Sequence, residues 1–216
     1  MAAITVFGAV GSGSVPVEAT LTLLKIPYEV IEAVTWEDEA ARKLVETVNP
    51  LRQVPALVLP SGEVVTESAA ILIYLADLHP QARLAPGPGD PKRAQYLRWM
   101  AYVSAAIYAF AWIKDDPMRI VASKEHGPGV LDRVHDRIAD CWRMMDEQIT
   151  PGRYILGEEL SVLDLYVAVI SRFPPRRTRF YKSAPKMAEI VRRVDADPRL
   201  KGFWAKRFPF DEGWER

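Results

Sequence analysis

The 216 residues predict a two-part α/β + all-α chain: a small mixed α/β domain followed by an all-helical one. Three observations carry that expectation. Residues 1 to about 80 alternate short strand-like and helix-like runs. The stretch from Pro80 to Pro91 is dense in proline and glycine, as domain boundaries commonly are. Everything after it has helical periodicity. The expected division is 1–80, a linker at 81–90, and 91–216.

The elements follow in order. Ile4-Thr5-Val6-Phe7 reads as a strand, and Gly8 to Gly13 as a loop. Val15 to Leu24 is a helix, with apolar residues at Val17, Leu21 and Leu24. Tyr28 to Ile31 is a second strand. Trp36 to Val48 is charged and helical and ends before Pro50, because a proline restricts the residue ahead of it. Ala56 to Leu59, the Ser61-Gly62 turn and Glu63 to Val65 form a hairpin. Thr66 to Leu78 is a helix. The order βαβ, helix, ββα gives a small sheet with helices against it.

In the second half, Leu131, Val134, Ile138, Cys141, Trp142, Met145 and Ile149 form one apolar helical stripe. Leu163 to Ile170 is apolar nearly all round, as expected of a central buried helix. Ser161 and Asp164 form a capping box at its start, each side chain serving the other's backbone N–H. Pro185 and Pro198 sit where further helices can begin.

Composition narrows the function. Hydrophobic residues make up 49%, and Lys+Arg and Asp+Glu each total 28, so the formal charge is zero. No net basic field exists to hold a phosphate backbone, which argues against nucleic-acid binding. The first residues lack a basic, apolar secretory pattern, and no stretch approaches the roughly 20 apolar residues of a membrane span. The single cysteine, Cys141, excludes an internal disulfide, a multi-cysteine zinc site and a CxxC redox pair. It lies on the apolar stripe and reads as inert packing. His79, His126 and His135 occupy unrelated settings and suggest no metal. Cytoplasm is the expected compartment.

Four local motifs carry chemistry. The loop Phe7-Gly8-Ala9-Val10-Gly11-Ser12-Gly13-Ser14 joins a strand to a helix, but lacks the spacing of a phosphate-binding motif. Asn49-Pro50-Leu51-Arg52-Gln53-Val54-Pro55 leads into a strand. Thr66-Glu67-Ser68 opens a helix, where free N–H groups and the helix dipole favour an anion. The fourth is the Ser161…Asp164 box, which reads as structural.

Together these motifs resemble the cytosolic glutathione transferase family, of serine type and bacterial kind, across nearly the whole chain. The resemblance implies a thioredoxin-like N-terminal domain with a helical bundle behind it. It places Ser12 opposite the glutathione sulfur; a shifted alignment gives that role to Ser14 and puts Gly13 where cysteine-type members have their cysteine. It implies a cis Val54–Pro55 bond, with the Val54 backbone pairing to the cysteinyl unit. Gln53 stands where the family often has a lysine, so a contact to the glycyl carboxylate falls to Arg52 or is missing. Glu67 and Ser68 would hold the γ-glutamyl end, Ser68 taking the carboxylate. Tyr102, Tyr108, Trp112 and Arg119 would line the pocket for a hydrophobic electrophile between the domains.

The implied activity is conjugation of glutathione, a co-substrate, with no metal. A free thiol has a pKa near ~8.5; lowering it by roughly two units takes about 2.7 kcal/mol. One hydroxyl donor plus a helix end supplies that. The absence of cysteine from the first half weighs against the thiol-transferase and dehydroascorbate-reductase branches. Other expectations from the resemblance are a detoxification role and a homodimer. The alternatives are a glutathione-dependent isomerase, lyase or peroxidase, and a non-catalytic ligand carrier or interaction protein. The cluster Arg172 to Arg179, broken by Pro174-Pro175, reads as a solvated loop that also suits an anionic co-substrate.

Overall fold

The computed structural model describes residues 3–216. Its N-terminal part is thioredoxin-like: β1 (Ile4–Gly8), α1 (Val15–Leu24), β2 (Tyr28–Glu32), α2 (Glu39–Glu46), β3 (Ala56–Val58), β4 (Val64–Thr66) and α3 (Ser68–Leu78). The sheet order is β2-β1-β3-β4. β1 runs parallel to β2, with Val6 opposite Val30, and antiparallel to β3, with Val6 opposite Leu57. The parallel pair needs a crossover, and α1 supplies it.

The elements begin and end where local chemistry dictates. α2 starts at Glu39, three residues later than Trp36, because the extended Asp38 caps it by accepting the Ala40 N–H at 2.8 Å. α3 starts at Ser68, two residues later than Thr66. Val64–Thr66 pairs with β3 instead, and Glu67 sits at φ +65°, a left-handed value at which no α-helix can pass.

The helical part comprises α4 (Arg93–Tyr102), α5 (Ala111–Asp115), α6 (Gly127–Gln148), α7 (Val162–Ile170), α8 (Arg176–Ser183), α9 (Pro185–Asp195) and α10 (Lys201–Arg207). Every residue of α7 is buried, as its apolar run requires. The capping box is present, and Asp164 also accepts the Ile155 N–H at 2.9 Å. Cys141 is fully buried. Pro185 opens α9, while Pro198 precedes α10 by a short turn.

One core joins the two parts. Val6, Leu21, Leu57, Ile71 and Leu75 pack continuously with Tyr96, Trp99, Trp142, Leu165 and Tyr166. α1 and α3 therefore lie between the sheet and α7, whereas α2 packs Ala41 and Val45 on the opposite sheet face, over Phe7 and Ala56. This leaves the β1–α1 loop, the chain entering β3 and the start of α3 at one edge, facing the helical part.

Candidate active site

The β1–α1 loop is built around small residues. A Cβ on Gly8 would fall on the Ser14 side chain, and one on Gly13 would fall on the Tyr108 hydroxyl. Ser12 and Ser14 are both buried, with their hydroxyl oxygens 2.8 Å apart. Ser12 Oγ accepts the backbone N–H of Ala9 at 3.2 Å and of Ser14 at 3.1 Å. Ser14 Oγ instead donates to Glu18 Oε1 at 2.6 Å. Glu18, fully buried in α1, is held by Arg207 Nε at 2.5 Å. Ser12 lines the large cleft between the two parts; Ser14 does not.

The chain entering β3 is shaped by Asn49. Its Nδ2 donates to the Gln53 carbonyl at 2.8 Å, and its Oδ1 accepts the Leu51 N–H at 3.1 Å. The Val54–Pro55 bond is cis. Among the described residues, no hydrogen bond reaches the Val54 N–H or C=O, so both backbone groups are available on the cleft wall. Arg52 is turned toward α2: its guanidinium pairs with Glu39 and lies 3.8 Å from Glu46. That pairing holds the Glu39 carboxyl below its ordinary range.

At the head of α3, the positive φ of Glu67 leaves its side chain exposed while Ser68 is buried. A non-glycine residue in this conformation costs on the order of 1–3 kcal/mol, and such outliers concentrate at functional sites. The Ser68 hydroxyl lies 2.8 Å from the Tyr166 hydroxyl. Burial pushes the Tyr166 phenol up to about 12, so it stays protonated and able to donate. Ser68 can then accept from Tyr166 and donate to an anion at the helix end.

From the helical part, α4 does not continue through Tyr108. A π-turn at Val103–Ile107 and a 3₁₀ turn at Tyr108–Phe110 interrupt it and bring Tyr108 to the cleft. Tyr108 stacks on Phe173 at 5.7 Å, and burial raises its phenol pKa. Trp112 and Arg119 also line the cleft, with the Arg119 guanidinium 5.0 Å from the Trp112 ring. Tyr102 is a correction. It lies before the π-turn, stands edge-on to Trp99, and donates to the Cys141 carbonyl at 3.1 Å, away from the cleft.

The expected solvated loop at Arg172–Arg179 is also corrected. Arg172 and Arg177 are buried. Arg177 pairs with Asp195 at 2.8 Å. Arg172 donates to the carbonyls of Phe208 and Pro209 at 2.7 and 2.6 Å and lies over the rings of Phe208, Phe210 and Trp214. Burial lowers its pKa to about 10. Arg172 thus fastens the C-terminal segment across the cleft and Arg177 is buried beside it, while Arg176 stays exposed and Arg179 pairs with Asp136 at the surface.

The cleft has a volume of about 1230 Å³. It gathers Ser12, Arg52, Gln53, Val54, Pro55, Glu67 and Ser68 on one side and Tyr108, Trp112 and Arg119 on the other. Of the site residues expected from sequence, only Ser14 and Tyr102 stand off it. Sequence reasoning missed Tyr166, Glu18, Arg207 and the Arg172 cage. Glu18 alone carried a signal, as the one charge within Val15–Leu24. Among the described residues no metal-binding group of His, Cys, Asp or Glu is present, and no helix is long and apolar enough to cross a membrane.

Comparisons with known proteins bear on the family and the fold. Residues 12–78 match the family described as glutathione S-transferase, N-terminal domain. The uncharacterized GST-like protein YncG of Escherichia coli K12 is 31% identical over 201 residues, covering 92% of this chain and 95% of that protein. A probable maleylacetoacetate isomerase of Caenorhabditis elegans is 30% identical over 155 residues, 70% of this chain and 69% of the relative. In fold, the chain is similar to a glutathione transferase homolog from Sulfitobacter with bound glutathione. The TM-score is 0.81 at 24% identity, over 95% of this chain and 99% of the other.

Proposed function

The chain belongs to the glutathione S-transferase family, and from that premise we propose that it binds glutathione in the interdomain cleft and conjugates its thiolate to a hydrophobic electrophile. The observation that carries the reading is the convergence of Ser12, the unpaired Val54 backbone and Ser68 on one wall of that cleft. Val54 pairs with the cysteinyl backbone as an added strand would. Ser68 and the amides at the head of α3 take the γ-glutamyl carboxylate, while the exposed Glu67 offsets the ammonium group. Arg52 is turned to Glu39 and Gln53 is uncharged, so the glycyl carboxylate meets weak charge complementarity.

In the reaction, glutathione gives its thiol proton to solvent. Ser12 keeps its own and donates it as a hydrogen bond to the sulfur, lowering the thiol pKa. The thiolate attacks the electrophile held against Tyr108 and Trp112. Ser12 is favoured over Ser14 because it alone of the two lines the cleft. The reading extends to a detoxifying, cytoplasmic homodimer.

A second reading, a glutathione-dependent isomerase, is favoured by one observation: the C. elegans relative named as a probable maleylacetoacetate isomerase. There the thiolate adds reversibly and leaves again.

The test is Ser12→Ala, read by titrating the thiol of enzyme-bound glutathione and by turnover of an aryl halide. Loss of one charge-assisted hydrogen bond predicts a fall in kcat of at least about tenfold. Unchanged thiol ionisation and turnover would remove Ser12 as activator. Failure of the wild-type chain to bind glutathione would sink the reading and favour a carrier or interaction protein.

A further inference from the structure

Ser12 is not isolated. Behind it runs a chain of polar groups that crosses from the thiol loop to the C-terminal end of the molecule: the buried Ser12, Ser14 and Glu18, and the half-buried Arg207. We propose that Glu18 and Arg207 are positioning residues which fix the direction of the Ser12 hydroxyl proton and make Ser12 a hydrogen-bond donor only. The proposal rests on the reading of Ser12 as thiol activator.

The direction follows from donor and acceptor counts. Arg207 grips the Glu18 carboxylate through Nε at 2.5 Å and Nη2 at 3.1 Å, so each carboxylate oxygen accepts from the guanidinium. A carboxylate held in such a fork presents acceptors, not a donor, to Ser14. Ser14 Oγ, 2.6 Å from Glu18 Oε1, must therefore donate its one proton there; its other acceptor, the Ala9 carbonyl, is much farther at 3.4 Å. With that proton engaged, the 2.8 Å contact between the two serine oxygens can only be Ser12 donating to Ser14. Both lone pairs of Ser12 Oγ meanwhile face the N–H groups of Ala9 and Ser14. The Ala9 N–H is shared with Ser14 Oγ at 3.3 Å, yet both lone pairs of Ser12 Oγ already face N–H groups and are poorly placed to take a proton from a thiol. What Ser12 retains is its own proton, which swings from Ser14 to a sulfur in the cleft.

Arg207 links this polarity to the far end of the chain. It closes α10, and its carbonyl accepts the Gly11 N–H at 2.8 Å, so the thiol loop and α10 are joined through both backbone and side chain. The next residues, Phe208 and Pro209, line the cleft. The second-substrate wall and the polarity of Ser12 thus depend on one residue.

The test uses Glu18→Gln and Arg207→Gln in the full-length protein, with Glu32→Gln as control. Glu32 also pairs with Arg207 but contacts neither serine. A glutamine at 18 donates as readily as it accepts, so Ser14 is no longer obliged to donate. The expected result is a bound-glutathione thiol pKa higher by about half a unit or more, and a kcat at neutral pH lower by about three- to tenfold. The KM for glutathione should stay within about twofold, since no binding contact is removed. Glu32→Gln should leave the thiol pKa at its wild-type value. A merely structural role would lower the melting temperature without moving the pKa of the bound thiol. If Glu18→Gln does not fold, Arg207→Gln carries the same readout. Ser12→Ala shifting the thiol pKa while neither Glu18→Gln nor Arg207→Gln does so would overturn this proposal alone. No shift in Ser12→Ala would overturn the thiol-activation reading and this proposal with it.

Discussion

The Tyr108 hydroxyl lies far inside contact distance of the point that a Cβ on Gly13 would take. Glycine is required here for close approach, since its φ is not in the left-handed range. Gly13→Ala should therefore overpack the loop and cost about 1–3 kcal/mol. In a Tyr108→Ala background, where the ring is gone, the same substitution should cost almost nothing. A double-mutant cycle by urea unfolding measures this; additive effects would show that the two residues do not meet. The cysteine-type alternative at position 13 meets the same obstacle, because a cysteine also needs that Cβ.

The proposed function assigns Ser68 and Tyr166 to binding and not to activation. Tyr166 comes from α7 and reaches the head of α3, 98 positions away in sequence. Tyr166→Phe removes the hydroxyl that meets Ser68, and Ser68→Ala removes the proposed donor to the γ-glutamyl carboxylate. The KM for glutathione should rise about three- to tenfold in the first and more than tenfold in the second, by loss of neutral and charged hydrogen bonds respectively. The pKa of the bound thiol should not move in either variant. Isothermal titration and thiol titration together check this, and a shifted thiol pKa would count against the division of roles.

The N-terminal wall of the cleft was legible from sequence because its residues are local. Ser12, Val54-Pro55 and Glu67-Ser68 each sit at a junction of strand and helix, and a loop's chemistry is written in neighbouring letters. The helical side was legible only in part. Tyr102 and Tyr108 are six residues apart, on a run that reads as one helix. The π-turn between them, which sends one inward and the other toward Cys141, leaves no compositional mark. Arg172 and Arg207 were hidden for a different reason. Their partners, the carbonyls at 208 and 209 and the carboxylate of Glu18, lie 36, 37 and 189 positions away, and pairing over such distances is a product of the finished fold.

The C-terminal segment should loosen when Arg172 is replaced. Its guanidinium holds two carbonyls and lies 3.6 Å from the Phe208 ring centroid and 4.6 Å from that of Trp214. Burial lowers its pKa to about 10, so desolvation already offsets part of what these contacts contribute. Arg172→Met keeps much of the volume and should cost about 1–3 kcal/mol, less than the contacts suggest. Hydrogen exchange at residues 208–216 should accelerate, and the KM for the second substrate should rise while that for glutathione holds. Unchanged exchange there would refute the anchoring role.

Asp164 gives the fold a pH dependence of unusual sign for a carboxylate. Its oxygens accept the Ser161 hydroxyl and N–H and the Ile155 N–H, yet complete burial outweighs these and raises its pKa from 3.8 to about 6. The folded state therefore holds the proton more tightly than the unfolded chain does. The resulting stabilisation is full below about 3.8, declines as pH rises toward about 6, and is gone above it. A shift of this size corresponds to at most about 3 kcal/mol. Asp164→Asn cannot titrate, so wild type minus variant stability isolates the site. That difference should shrink as pH is raised from about 4 to about 6 and then stay level. Urea unfolding at several pH values measures it. A difference that grows over this range would mean that the three hydrogen bonds, not burial, govern the Asp164 carboxyl.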